Sequence, residues 1–346
     1  NGKTALMTIT EWSCEYAEEN INTLISAGAE VNLQANYGET ALMLATRDGG
    51  KYAESMMRAL IAAGANIEAQ DTDRRTALMY VTYLDCEQAK ANMLVLLQNG
   101  ADVNVQNKEG YTVLMDAILY APLAMIQILL SAGADVNIQN DNGKTALMAL
   151  AEYDGEYTKE IIHMLISAGA KVNMQDNFGN TALIDFVYHG KHTEDIIHIL
   201  LSEGAEVNAR DQEGGTALMI ATGERVKNGK DKMRMLIDVG ADVNMRDNFE
   251  NTALILASYN GTEHAVEMIQ LLLDKGADIN ASEEYGVTAL MFATEFGGEY
   301  PEVMRFLVAN NATLPLISDL DPEETPSTHM EYIRGAQNWT QLHRAA

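Results

Sequence analysis

A Thr-Ala-Leu triplet, or a near copy of it, begins at Thr4, Thr40, Thr76, Thr112, Thr145, Thr181, Thr216, Thr252 and Thr288. The chain therefore returns to the same local sequence after 36, 36, 36, 33, 36, 35, 36 and 36 residues. A period of this size, held over most of 346 residues, excludes one closed core. Each copy is a supersecondary unit that buries its apolar face only on its neighbours, so the chain must fold as a stack.

Variation in the period shows how a copy is built. From the closing glycines Gly28, Gly64, Gly100, Gly133, Gly169, Gly204, Gly240 and Gly276 the next Thr is always twelve residues away, whereas the step from Thr to Gly is 21, 23 or 24. The variable part reads as two short helices. Thr is a good N-cap before Ala-Leu-Met, and Ser-Ala-Gly-Ala ends an apolar run such as Ile161 to Ile166 with a Gly suited to the left-handed position. Extra residues belong in the turn between the two helices. The fixed twelve carry Val-Asn or Ile-Asn and then turn chemistry such as Gln175-Asp176-Asn177-Phe178-Gly179, which predicts a reversing finger.

These residues resemble the ankyrin repeat, with its Gly-x-Thr-Pro-Leu-His opening, paired helices, Leu-Leu-x-x-Gly-Ala-x-Val-Asn and β-turn, over residues 1 to about 312. The resemblance implies an all-α repeat solenoid of stacked helix pairs with β-turn fingers. Departures from the pattern carry physical content. Ala replaces Pro in most copies, and the His position holds Met7, Met43, Met79, Met115, Met148, Met219 and Met291, with Ile184 and Ile255 in the other two. A side-chain hydrogen bond is thus expected to give way to flexible apolar packing. Pro122 and Pro301 fall where a second helix should start and suit its first position. Arg74 and Glu250 stand where other fingers place Gly. Positive φ costs a non-Gly residue about 1–3 kcal/mol, so those two fingers are expected to be remodelled.

The domain expectation is one repeat domain over 1–312 with its first copy partial, an irregular acidic insertion or cap over 313–337, and the start of a further repeat over 338–346. The chain opens at Asn1-Gly2-Lys3-Thr4 inside a finger, which reads as an excerpt of a longer protein. Fifty acidic against 23 basic residues give a formal charge of −27, the wrong sign for nucleic acid or an anionic membrane and the right sign for a partner with a basic surface. Cys14 and Cys86 sit two copies apart, roughly 20 Å by the spacing of stacked helices, too far for a disulfide. Two thiols and no apolar run near 18 residues suggest a cytoplasmic protein without a membrane span.

No motif points to an enzyme. Gly-Lys-Thr occurs at Gly2 and at Gly143, but Ile138 stands where the second would need its upstream Gly. Asn140-Asp141-Asn142-Gly143 lacks the first and twelfth ligands of a calcium loop, where Ile138 and Ala149 stand. His189, His192 and His198 have neither Cys nor carboxylates at zinc spacing. No cofactor is expected. Arg225, Lys227, Lys230, Lys232 and Arg234 crowd one inter-helix turn and read as a solvated basic cluster, with an anion site as the alternative.

Aligned copies reveal an aromatic stripe. Seven or eight residues after each Thr lie Trp12, Tyr83, Tyr120, Tyr153, Tyr188, Tyr259 and Phe296, while the finger tips add Tyr37, Phe178, Phe249 and Tyr285. By the resemblance, these positions line a concave face that binds a partner polypeptide, which makes the chain a scaffold, adaptor or inhibitor. The alternative function is the targeting arm of a larger enzyme, toxin or channel. For the helix-end rings, packing against the next copy stays open beside an interface role. Tyr16, Tyr52, Tyr157 and Tyr300, twelve after their Thr, are expected to pack in the long turns.

Overall fold

The computed structural model describes residues 2–11, 15–84, 87–153, 155, 157–189, 193–260, 264–295 and 301–313. Among them are eighteen α-helices and no strand, so the fold class is the expected all-α repeat solenoid. The chain divides into two compact units, 1–171 and 172–346.

The first unit holds helices α1 (Ala5–Glu11), α2 (Ala17–Ser26), α3 (Ala41–Asp48), α4 (Ala53–Ala62), α5 (Ala77–Tyr80), α6 (Glu87–Gln98), α7 (Val113–Tyr120), α8 (Leu123–Ser131), α9 (Ala146–Ala149) and α10 (Thr158–Ser167). The second holds α11 (Ala182–His189), α12 (Thr193–Ser202), α13 (Ala217–Ala221), α14 (Gly229–Asp238), α15 (Ala253–Tyr259), α16 (Ala265–Asp274), α17 (Ala289–Glu295) and α18 (Pro301–Ala309). Within each unit the odd-numbered helix packs on the even-numbered helix that follows it and on the odd-numbered helices of adjacent repeats, and the even-numbered helices stack in the same way.

Seven of the nine first helices begin at their Thr for the expected reason, whereas the hydroxyl of Thr76 makes no cap hydrogen bond and that of Thr288 is buried without a partner among the described residues. The hydroxyls of Thr4, Thr40, Thr112, Thr145, Thr181, Thr216 and Thr252 accept the N–H of the residue three further on. This satisfies one of the donors that a helix start leaves open. Leu and Met of the same turn then enter the core, Leu42 and Met43 being 1% exposed. The expectation that Met replaces a hydrogen bond by packing alone needs correction. The backbone N–H groups of Thr4, Thr40 and Thr288 donate to the sulfurs of Met7, Met43 and Met291 at 3.4 Å, because an unbranched thioether can both fill the core and curl back over its own helix start.

Length variation falls between the helices, as expected. Only Ala121-Pro122 separates α7 from α8, whereas Gly49 and a short 3-10 turn, Gly50–Tyr52, separate α3 from α4. Pro301 opens α18, but Pro122 sits one place earlier than expected, as the extended N-cap of α8 with ψ 148°. The residue before a proline avoids helical geometry, and Ala121 is itself extended at ψ 158°.

The fingers at Arg74 and Glu250 are not remodelled. Both residues take the left-handed conformation, φ 59° and 63°, and their N–H groups close the turn on Asp71 O and Asp247 O at 2.9 and 3.1 Å. Gly110 closes its finger on Asn107 O at 3.1 Å in the same way. Hydrogen bonds between fingers fix the backbone, so the side chains accept the strain. Asn311 likewise stands in for the closing Gly at φ 67°. Residues 314–346, which hold the further repeat and all of the expected 313–337 cap but Thr313, lie outside the described residues.

Candidate functional site

Three sets of side chains build the fingers. In seven fingers the first residue of the turn, Asp71, Asn107, Asn140, Asp176, Asp211, Asp247 or Glu283, turns one oxygen inward to accept the N–H groups two and four residues on, while Ala35 leaves the Tyr37 finger without one. One carboxylate or amide oxygen thus replaces the water that the turn backbone would otherwise need. The Asn of Val-Asn staples repeats together. Asn32 donates to Gly64 O at 2.9 Å and accepts from Asn66 N–H at 2.7 Å, and Asn137 and Asn173 repeat that pattern. Gln34, Gln106 and Gln175 each span two carbonyls, one in their own finger and one in the next. These staples went unread in the sequence, although Val-Asn recurs in nearly every copy.

On this frame the tip aromatics face solvent. Tyr37 is 71% exposed, Phe178 60% and Phe249 53%, and Tyr285 is exposed as well. Among the helix-end rings, Tyr83, Tyr120, Tyr188 and Tyr259 are exposed, and Tyr153 is half-buried. Tyr83 and Tyr120 lie 5.6 Å apart in a tilted pair, and Tyr259 meets Phe292 edge-on at 5.4 Å. Each helix-end ring in these pairs therefore touches a neighbouring ring while staying partly open to water. Trp12 and Phe296 lie outside the described residues. The expectation that the long-turn tyrosines pack is not met for two of them. Tyr16 and Tyr157, each the last residue before a second helix, are exposed. Tyr52 is half-buried beneath Lys51, and Tyr300 lies outside the described residues.

Charge gathers behind the rings of the first unit. Arg47 pairs with Glu39 and Asp48 and lies 5.5 Å over the Tyr80 ring. Its side-chain hydrogen bond with Asp48 is the largest influence on the guanidinium and raises its pKa. Tyr80 donates to Asp71 Oδ2 at 2.6 Å, and burial pushes its phenol well above the usual range. Arg75 lies 5.8 Å over Tyr83, next to Asp116. Burial lifts the Asp116 carboxyl to about 6, against the pull of Arg75 and a hydrogen bond from Tyr83. Burial likewise raises Tyr83 to about 12. The sequence stripe marked Tyr83 but missed Arg75 and Asp116, one residue before and four after their respective Thr; only alignment of those two columns would have found them.

The basic cluster is not one cluster. Arg225, Lys227 and Arg234 are exposed, whereas Lys232 is 2% exposed and donates to Val187 O at 2.7 Å. Its four-carbon stem takes the core place held by Met56, Met125 and Met268 in other repeats. Burial alone pulls its pKa down to about 8.

Lys3 and Lys144 of the two Gly-Lys-Thr stretches bind Glu11 and Glu152, while Thr4 and Thr145 cap helices. Among the described residues no group of three potential ligands could hold a metal ion, and His189 and His198 are exposed. His192, Cys14 and Cys86 lie outside those residues. No helix among the described residues is long and apolar enough to cross a membrane.

A family model described as ankyrin repeats (3 copies) matches residues 12–91, 85–176, 147–247 and 225–316. No curated protein matches the chain.

Proposed function

Because this chain belongs to the ankyrin-repeat family, whose members are generally protein-interaction modules, we propose that it is a protein-binding scaffold. It takes a partner polypeptide on the finger tips and helix ends marked by Tyr37, Tyr83, Tyr120, Tyr153, Phe178, Tyr188, Phe249, Tyr259 and Tyr285. The observation that carries the reading is the exposure of rings such as Phe178 and Phe249 on fingers whose turn N–H groups are held by Asp176 and Asp247. Interfaces favour rigid aromatic anchors, since a ring buries large area at small entropic cost. A net charge of −27 favours a partner with a basic surface. The function is binding rather than catalysis, in a cytoplasmic setting.

Selection of random peptides on the full chain, followed by affinity measurements, tests this. Ligands should lose roughly tenfold or more on Phe178→Ala/Phe249→Ala, as expected for two anchors of about 1 kcal/mol each, while the melting point holds. Ligands that bind the double variant as well as the parent would remove the reading.

A further inference from the structure

The four fingers of the second unit form one hydrogen-bonded row. Gln212 N–H donates to Phe178 O at 2.8 Å, Asn248 N–H to Glu213 O at 2.8 Å and Glu284 N–H to Phe249 O at 3.0 Å. Side chains double two of these joints, Gln212 Nε2 on Asn177 O at 2.6 Å and Asn248 Nδ2 on Gln212 O at 2.8 Å. Spacing between the tips is therefore a backbone property. Their side chains follow a fixed order of chemistry: Phe178, Glu213, Phe249, Tyr285, all exposed. Glu213 has no ion-pair partner among the described residues, whereas Glu250 beside it in the row is tied to Arg246 at 3.1 Å. The Arg210 guanidinium beneath the same finger is engaged with carbonyls, donating to Gly214 O at 3.2 Å and Arg246 O at 3.0 Å. Gly215 stands where the other three carry Asn180, Asn251 and Val287, and a Cβ there would come within 2.8 Å of Asp211 Oδ2.

We propose that this row docks a polyproline-II segment of a partner protein, with apolar side chains at positions 1, 7 and 10 on Phe178, Phe249 and Tyr285, and a Lys or Arg at position 4 facing Glu213. The spacing selects the conformation. Stacked helices repeat about every 8–10 Å, and polyproline II completes one turn in three residues of about 3.1 Å each, roughly 9 Å. One residue in three then faces the row, one per finger. A β-strand fails this match, because its same-face residues fall about 7 or 13 Å apart. Charge selects the residue at position 4, an unpaired carboxylate between two phenyl rings being complementary to a cation. Polyproline II is also the backbone that aromatic surfaces recognise at least entropic cost, since it is largely pre-formed.

The inference rests on the scaffold reading, and its test separates the two. Fluorescein-labelled twelve-residue proline-rich peptides carrying Leu, Lys, Leu and Leu at period three, in both chain directions, are titrated against the full chain beside peptides of equal composition at periods two and four. A period-three peptide should bind at least tenfold tighter than the others. Glu213→Lys should weaken it about tenfold and restore binding to a version with Glu at position 4, while Phe178→Ala should weaken binding with an unchanged melting point. Equal binding at all periods, no binding at period three, or no charge reversal on Glu213→Lys overturns the polyproline register. If selected ligands still depend on Phe178 and Phe249, the scaffold reading survives that result; if they do not, both fall.

Discussion

At the base of four of its fingers the first unit reaches forward to the following helix with a charged side chain, and the described fingers of the second do not. Lys3 holds Glu11, Glu39 holds Arg47, Lys144 holds Glu152 and Arg75 lies over Tyr83, each reaching eight residues forward to the end of the following helix. The same two places in the second unit hold Asn180 and Tyr188, Gly215 and Gly223, Asn251 and Tyr259, Val287 and Glu295. Asn180 and Asn251 bend back instead, donating to Asp176 Oδ2 at 3.2 Å and Asp247 Oδ2 at 3.1 Å. One fold position thus accepts two solutions. A cross-link ties the finger to the following helix, whereas a local link stays within the finger on its own carboxylate.

The core shows a parallel contrast at one equivalent position. Asn92 in the first unit reaches Thr46 O at 3.4 Å, and Lys232 in the second reaches Val187 O at 2.7 Å. Both serve the carbonyl six residues after the previous repeat's Thr, but only Lys232 brings a charge inside. Its folded pKa of about 8 lies below the ordinary 10.5, so the unfolded chain holds more protons between those values and stability rises as pH climbs from about 8 to 10.5. Lys232→Met should therefore stabilise the protein by about 1–3 kcal/mol at pH 7 and flatten that window in urea unfolding. Asn92→Met should give a smaller change with no pH dependence; equal behaviour of the two variants would end the contrast.

A second effect belongs to Asp116. Its folded pKa of about 6 lies above the ordinary 3.8, so the folded chain holds more protons in that interval and stability increases as pH falls from about 6 to 4. Asp116→Asn should remove this slope and stabilise by about 1–2 kcal/mol at neutral pH, measured by thermal melts from pH 4 to 7.5. The charged clasps are worth less. A double-mutant cycle on Glu39 and Arg47 should give about 0.3–1 kcal/mol that fades in 1 M salt. The cycle on Asp176 and Asn180 should keep its coupling there.

Much of this was legible because each signal is local. The Thr cap, the closing Gly and the turn residues act within one repeat, so period and spacing reveal them. The staples were not, because Asn32 acts on Gly64 and Asn66, more than thirty residues away, and its role exists only once the repeats are stacked. Lys232 misled for the same reason. Among Arg225, Lys227 and Lys230 it reads as solvated, and only its place on α14 puts it inside. Arg74 and Glu250 were read as positions of strain, but the finger-to-finger bonds that hold them there are invisible in one copy.

The proposed binding role requires that the exposed rings do not hold the stack and that the buried ones do, and urea unfolding tests this most directly. Tyr37→Ala, Phe178→Ala and Phe249→Ala should each shift the unfolding free energy by about 0.5 kcal/mol or less, and Tyr120→Ala by about 1 kcal/mol through its pair with Tyr83. Phe186→Ala, at a site 1% exposed, should cost about 3–5 kcal/mol. Losses at the four exposed rings as large as the loss at Phe186 would contradict the account.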